Sequence, residues 1–319
     1  MAENAVIIYM SRMRDVPLLY RSLSMLCLNF KYVKEYPIVV FHDDIDKPTI
    51  ANLLVELHKK VGFIPNIKFE FLKFELPEGI SEDPSKYTIP LSEAWMGYRH
   101  MCRFHSGGIY RDSRLLKYDY YWRLDSDSYL YSPIEYDPFE YMKTNDKEYA
   151  YMSTEDGEVP SVVQGLWEET EKFMKTHNIP MSKDLQDSIV DGKWSCRLFY
   201  TNFEIAKFSF FRGEKYMAYF DQLDETGNLF YKRWGDAPIH WLGVKMLLDP
   251  AKVWAVKDIT YQHNAWIRNF DALPNKEIPE NILVLVDGSP EQHYSRKERL
   301  LFGLNRYRAG GSDGLNWGE

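Results

Sequence analysis

Unbroken apolar runs alternate with amphipathic stretches along the first quarter of the chain. Ala5-Val6-Ile7-Ile8-Tyr9-Met10 has strand length, the polar turn Ser11-Arg12-Met13-Arg14-Asp15 follows, and Pro17 opens an amphipathic helix pattern that runs to about Asn29. Pro37-Ile38-Val39-Val40-Phe41 reads as a second buried strand ending at His42-Asp43-Asp44, and Thr49 to Val61 as a second helix. Ile67-Lys68-Phe69-Glu70-Phe71-Leu72 alternates and makes a third strand. Strand and helix in this alternation imply a right-handed parallel α/β sheet at the amino end.

Leu76 to Pro90 is rich in Pro, Glu and Ser and reads as a surface loop before a helix that carries Tyr98-Arg99-His100-Met101-Cys102-Arg103-Phe104. The aromatic strand Tyr120-Tyr121-Trp122-Arg123-Leu124 then runs into Asp125-Ser126-Asp127. Further on, the pattern predicts a strand over Tyr149 to Ser153, a helix over Trp167 to His177, and a polar loop over Asp184 to Lys193. Phe203 to Phe211 is another apolar stretch with Glu204 inside it, Arg212 to Glu225 and Ala237 to Leu248 read as helices, and Val253 to Ile259 as a late strand leading into Tyr261-Gln262-His263. Neither a repeat nor a long linker divides the chain, so residues 1–304 are expected to form a single domain, with 305–319 a Gly-rich loose tail.

Composition narrows the class. With 319 residues, 45% hydrophobic and 16% aromatic, the chain can bury a substantial core. A formal charge of -8 argues against a nucleic-acid partner, and the basic cluster Arg296-Lys297-Glu298-Arg299 is short and interrupted. Three cysteines (Cys27, Cys102, Cys196) without Cys-x-x-Cys spacing indicate neither a disulfide scaffold nor a zinc site. No stretch approaches the roughly 20 apolar residues of a membrane span, so the chain as written is expected to be soluble. There is no G-x-G-x-x-G, Walker loop, G-x-S-x-G or H-E-x-x-H, which disfavours dehydrogenases, P-loop NTPases, α/β-hydrolases and zinc proteases.

The chemistry concentrates at Asp125 and Asp127. Carboxylates two apart at a strand's carboxyl end, where α/β sheets bind ligands, could grip one hard cation after a sharp bend. A bare Asp-x-Asp is weak evidence, since chance supplies about one or two in a chain of this kind, and Asp44-Ile45-Asp46 is a second copy. Glu204 is the other conspicuous group: a carboxylate among apolar neighbours is costly to bury without a purpose or a partner.

Several blocks together carry a resemblance. Tyr98-Arg99-His100-Met101-Cys102-Arg103, Tyr121-Trp122-Arg123, Asn202-Phe203-Glu204-Ile205-Ala206, Glu214 to Asp224, Arg233-Trp234-Gly235-Asp236-Ala237-Pro238 and Tyr261-Gln262-His263 stand in an order and spacing that resembles the fungal KTR family of α-mannosyltransferases. That resemblance implies a GT-A type nucleotide-sugar transferase fold, a Rossmann-like mixed sheet flanked by helices, with a donor-nucleotide half over about 1–130 and an acceptor and catalytic half over about 131–304. It also implies GDP-mannose as donor, Mn²⁺ as cofactor with Mg²⁺ as the alternative, a glycan or glycoprotein acceptor, and transfer with retention, commonly to an α-1,2 link. Family members are usually Golgi-anchored by an amino-terminal helix, so the expected location is the Golgi lumen for a catalytic portion and the cytoplasm for a full-length chain. Competing readings are a different nucleotide-sugar donor and an inactive carbohydrate-binding relative.

By the same resemblance Asp125, Asp127 and His263 are the metal ligands. Arg12, Arg103 and Asp125 fall at the cofactor, with a solvated charge the alternative for Arg12 and a structural ion pair for Arg103. Tyr98, Asp236 and Glu204 are the catalytic candidates. Core packing is the plain alternative for Tyr98 and a helix N-cap for Asp236. Glu204 is expected beside the anomeric carbon, as nucleophile or as stabiliser of an oxocarbenium-like state. The chain departs from the family at Asp125-Ser126-Asp127, where Glu-Pro-Asp is typical, at Phe104, where Tyr is frequent, and at Asn264-Ala265-Trp266, which replaces a Pro-rich stretch.

Overall fold

Side chains that alternate along the strands sort onto two faces of one sheet, and both faces are covered. The computed structural model describes residues 3–90, 96–155, 157–263, 266–269 and 272; the basic cluster at 296–299, the tail at 305–319, and Asn264 and Ala265 lie outside the described residues. The main strands are β1 (Ala5–Met10), β2 (Ile38–His42), β3 (Ile67–Phe71), β4 (Tyr120–Leu124), β5 (Ser128–Leu130), β6 (Tyr149–Tyr151), β7 (Phe203–Lys207), β8 (Val253–Ala255), β9 (Tyr261–His263) and β10 (Trp266–Arg268). The main helices are α1 (Val16–Asn29), α2 (Lys47–Val61), α3 (Met96–Arg103), α4 (Leu166–Thr176), α5 (Glu214–Glu225) and α6 (Asp236–Leu247).

A seven-stranded sheet runs β8-β6-β7-β4-β1-β2-β3. Neighbours from β4 to β3 are parallel, as the alternation of strand and helix requires, while β7 lies antiparallel between β4 and β6. A smaller antiparallel sheet, β10-β9-β5, stands beside its carboxyl edge.

On one face Ile7, Tyr9, Ile38, Val40, Trp122 and Ile205 meet Leu19, Leu23 and Leu26 of α1 and Leu53 and Leu57 of α2. On the other, Val6, Ile8, Val39, Tyr121 and Ala206 join the aromatic cluster from α4, α5 and α6. Each fully buried large apolar side chain contributes about 1.5–3 kcal/mol. The period of two along every central strand therefore fixes register, because a one-residue slip would exchange the two cores. Among the described residues no helix is long and apolar enough to cross a membrane.

The amino-terminal elements fall within two residues of their expected bounds. Asp46 caps α2 by accepting from the Thr49 N–H at 2.7 Å, and Gly62 ends it at φ 81°. That cap is the structural use of the second Asp-x-Asp, whose Asp44 accepts from the Met13 N–H. Three expectations change. Asp184 to Lys193 holds a helical turn at Lys183–Gln186 and a hairpin of Ile189–Val190 with Lys193–Trp194, too short to leave a periodicity. The late strand stops at Ala255, and the helix expected from Arg212 starts at Glu214.

α3 does not stop at Arg103: it widens into a π-helix over Phe104–Gly108 and closes as Ile109–Arg111. Close approach to α5 depends on Gly107, where a Cβ would stand 2.2 Å from the Phe220 ring. Gly107→Ala is therefore expected to destabilise the protein by roughly 1–3 kcal/mol, lowering the melting temperature by several degrees in a calorimetric scan. An unchanged transition would mean that the α3–α5 contact gives way freely.

Candidate active site

The backbone turns back as soon as β4 ends. The Ser128 N–H donates to the Asp125 carbonyl at 3.0 Å, the Asp125 N–H donates to Ser128 Oγ at 2.9 Å, and Ser126 Oγ donates to the Met10 carbonyl at the end of β1 at 3.0 Å. β9, paired with β5, places His263 opposite Ser128. One ligand atom each from Asp125, Asp127 and His263 lies within 4.8 Å of the others. His263 Nε2 is 3.1 Å from Asp127 Oδ1 and 3.8 Å from Asp125 Oδ2, while Nδ1 is 2.8 Å from the Tyr200 hydroxyl. Two carboxylates and an imidazole form a donor set suited to Mn²⁺, and to Mg²⁺ less well because of the nitrogen. With Nε2 as a ligand, its partner Nδ1–H donates to Tyr200, which sets tautomer and ring orientation.

Burial raises the Asp125 carboxyl above its ordinary value, although Arg123 and His263 oppose it. Burial acts on Asp127 in the same sense, but the hydrogen bond from His263 holds it below its ordinary value.

Behind Asp125 sits Arg123, with 4% of its side chain exposed. Its Nη1 donates to Asp236 Oδ2 at 2.5 Å, its Nε reaches Asp125 Oδ1 at 3.3 Å, and Thr201 Oγ1 donates to the same Asp236 oxygen at 2.9 Å. Desolvation works against the guanidinium charge, but the two carboxylates outweigh it. Reciprocally, Asp236 lies far below the ordinary carboxyl range against its own burial, chiefly through Arg123. Asp236 is the first residue of α6, whose N-cap is Gly235, so its carboxylate serves Arg123 and not the helix end. Arg123, Thr201 and Tyr200 went unassigned in the sequence reading. The signal for Arg123 was the one applied to Glu204, a charge inside an apolar strand.

A cleft of about 290 Å³ opens beside these groups, lined among others by Arg12, Tyr98, Met101, His105, Asp125 and Asp127. Arg12 Nε donates to Asp15 at 2.6 Å across the same cleft wall. Tyr98 accepts from Arg233 Nη2 at 3.1 Å with the guanidinium 4.8 Å from its ring centre. The neighbouring Cys102 thiol and burial push the Tyr98 phenol well above its usual range, so it remains a donor at neutral pH.

Arg103 and Glu204 are both engaged by protein partners. Arg103 makes a bidentate pair with Asp224 of α5 at 2.7 Å for both bonds and so ties the two helices together. Glu204 is 1% exposed. It faces Arg123 across the β4–β7 register, and it accepts from Tyr121 at 2.5 Å, Tyr149 at 2.7 Å and His240 Nδ1 at 2.7 Å. Burial alone would raise its carboxyl, but His240, Arg123 and Tyr121 hold it below the ordinary value. The apolar neighbours that drew attention to it, Phe203 and Ile205, point to the opposite core. Its carboxylate is thus enclosed by two phenols and an imidazole.

The model of the family described as glycolipid 2-alpha-mannosyltransferase matches residues 1–274. The alpha-1,2 mannosyltransferase KTR1 of Saccharomyces cerevisiae is 33% identical over 271 residues, covering 82% of this chain and 68% of that one. The O-glycoside alpha-1,2-mannosyltransferase omh1 of Schizosaccharomyces pombe is 32% identical over 281 residues, covering 82% and 69%. Core-mannan synthase A of Aspergillus fumigatus, solved in an Mn/GDP form, superposes with a TM-score of 0.75 at 26% identity, covering 92% of this chain and 81% of that one. The mixed sheet is thus of the GT-A type.

Glu204→Gln places an amide among three donors and is expected to destabilise by roughly 2–4 kcal/mol, read as a drop in melting temperature. Because the folded carboxyl is held low, its stabilisation is complete above the unfolded value near pH 4.5 and is lost as the pH falls toward the folded one. The unsubstituted protein should therefore lose stability below about pH 4.5 more steeply than the variant. Equal slopes would place the titrating group elsewhere. Arg103→Gln should lower stability by roughly 1 kcal/mol and leave nucleotide affinity unchanged in calorimetric titration.

Proposed function

The chain belongs to the glycolipid 2-alpha-mannosyltransferase family, and from that premise we propose that it transfers mannose from GDP-mannose to a glycan or glycoprotein acceptor, forming an α-1,2 link with retention of the donor's configuration. The observation that carries the reading is the carboxylate–carboxylate–imidazole cluster at the carboxyl end of β4, opening on a cleft in a GT-A fold.

Asp125, Asp127 and His263 would hold the cation. A bound Mn²⁺ there supplies Lewis-acid stabilisation of the negative charge that develops on the diphosphate leaving group. Arg12, which lines the same cleft, would meet the nucleotide's anionic part. Tyr98 offers a protonated phenol to a sugar hydroxyl. Asp236 holds Arg123, and Arg123 in turn fixes which oxygen of Asp125 is turned toward the ligand. Formal charges at the site balance in the same way: Arg123 offsets Asp236, which leaves the two charges of Asp125 and Asp127 for a divalent cation. Glu204 sets the position of Tyr121, Tyr149 and His240 beneath the floor, which makes it a positioning residue.

Asp125→Asn or Asp127→Asn should weaken Mn²⁺ binding at least a hundredfold and lower kcat/KM with GDP-mannose by about a thousandfold, measured by titration and by transfer to α-methyl mannoside. Proton NMR of the wild-type product should show an α anomer. Full turnover in excess chelator, or a β-linked product, would overturn the reading.

A further inference from the structure

The wall of the cleft formed by α3 is a single helical stripe. Tyr98, Met101 and His105 follow at spacings of three and four, which places them one above another on the same face, and all three line the cleft. His105 lies in the π-helical turn, a departure from regular helix that is frequent at functional sites. The residue is 3% exposed, and its ring packs edge-on against Phe104 at 5.7 Å.

His105's backbone carbonyl accepts from His240 Nε2 at 3.1 Å, but its ring nitrogens make no hydrogen bond with any described residue. Burial, with the Arg123 guanidinium nearby, holds this imidazole well below its ordinary value, so it is neutral at working pH despite Asp236. Ser11, another cleft-lining residue, likewise has a buried hydroxyl without a partner. A buried hydroxyl is rarely left unpaired, and together with the unbonded imidazole on the same cleft it points to a ligand that brings the missing partner. A neutral imidazole offers one donor and one acceptor, which matches a sugar hydroxyl and suits a phosphate less well.

We infer that His105 is a specificity-determining residue that hydrogen-bonds a hydroxyl of the donor's pyranose ring, with Ser11 on the same cleft. The inference rests on the nucleotide-sugar reading above and adds the group that distinguishes sugar from nucleotide. The charges of Arg123 and Asp236 act on His105, and Arg123 also pairs with Asp125, which sets the ring toward the end of the cleft where a diphosphate bound at the cation would present its sugar.

The test compares two ligands on one protein. In calorimetric titration of the whole chain with Mn²⁺, His105→Phe should bind GDP-mannose about tenfold more weakly than wild type while GDP affinity stays within about twofold. His105→Asn, which retains a donor and an acceptor, should recover part of the loss, and it keeps the test open should the Phe ring not fit. With a series of monodeoxy GDP-mannose analogues, wild type should lose affinity for the one lacking the contacted hydroxyl, and the Phe variant should bind that analogue and GDP-mannose alike. Equal losses for GDP and GDP-mannose, or no loss for either, would overturn the assignment while leaving the functional reading intact. Failure of wild type to bind either ligand would overturn that reading and this inference with it.

Discussion

A guanidinium buried in the middle of a sheet sets the terms for everything around it. Arg123 cannot remain charged at 4% exposure without anions at hand, and the structure supplies them in a row: Asp125 and Asp236 by direct contact, Glu204 across the strand pair. Each anion then needs its own surroundings. Asp236 takes Thr201, Glu204 takes two phenols and an imidazole, and Asp125 is left with an oxygen toward the cleft. Removing one member would strand a buried charge, so the acidic end of β4 and the polar cage beneath it form one electrostatic unit.

That unit explains why the central sheet is mixed. A parallel neighbour on β4 would arrive by a crossover helix, whereas the antiparallel β7 brings Glu204 directly opposite Arg123 and hands the chain on to α5 and α6. α6 begins at Asp236 and carries His240 one helical turn later, so a single helix serves both Arg123 and Glu204. The opposite wall comes from α3, whose stripe of Tyr98, Met101 and His105 passes into the π turn that Gly107 allows.

Much of the fold was legible in the residues because it follows from periodicity. The apolar runs at Ala5–Met10 and Ile38–His42, the helical patterns between them and the caps at Asp46 and Gly62 are local properties, and local properties are written in adjacent residues. The metal candidates were legible too, Asp125 and Asp127 from their strand end and His263 only through the resemblance, since nothing near His263 in sequence says that β9 pairs with β5.

What the chain could not disclose was direction and partnership. A charge in an apolar strand reads the same whether it opens on a cleft or closes on a cage, and only the register of β7 against β4 decided that Glu204 does the second. Arg103 sits within a few residues of Tyr98 and His105 on one helix, yet its rotation sends it to Asp224. Sequence by itself determined the alternation of strands and helices, the two cores and the acidic strand end, because these depend on spacing along one element. Tertiary structure alone decided which buried charges face the cleft, because that depends on distances between elements remote in the chain.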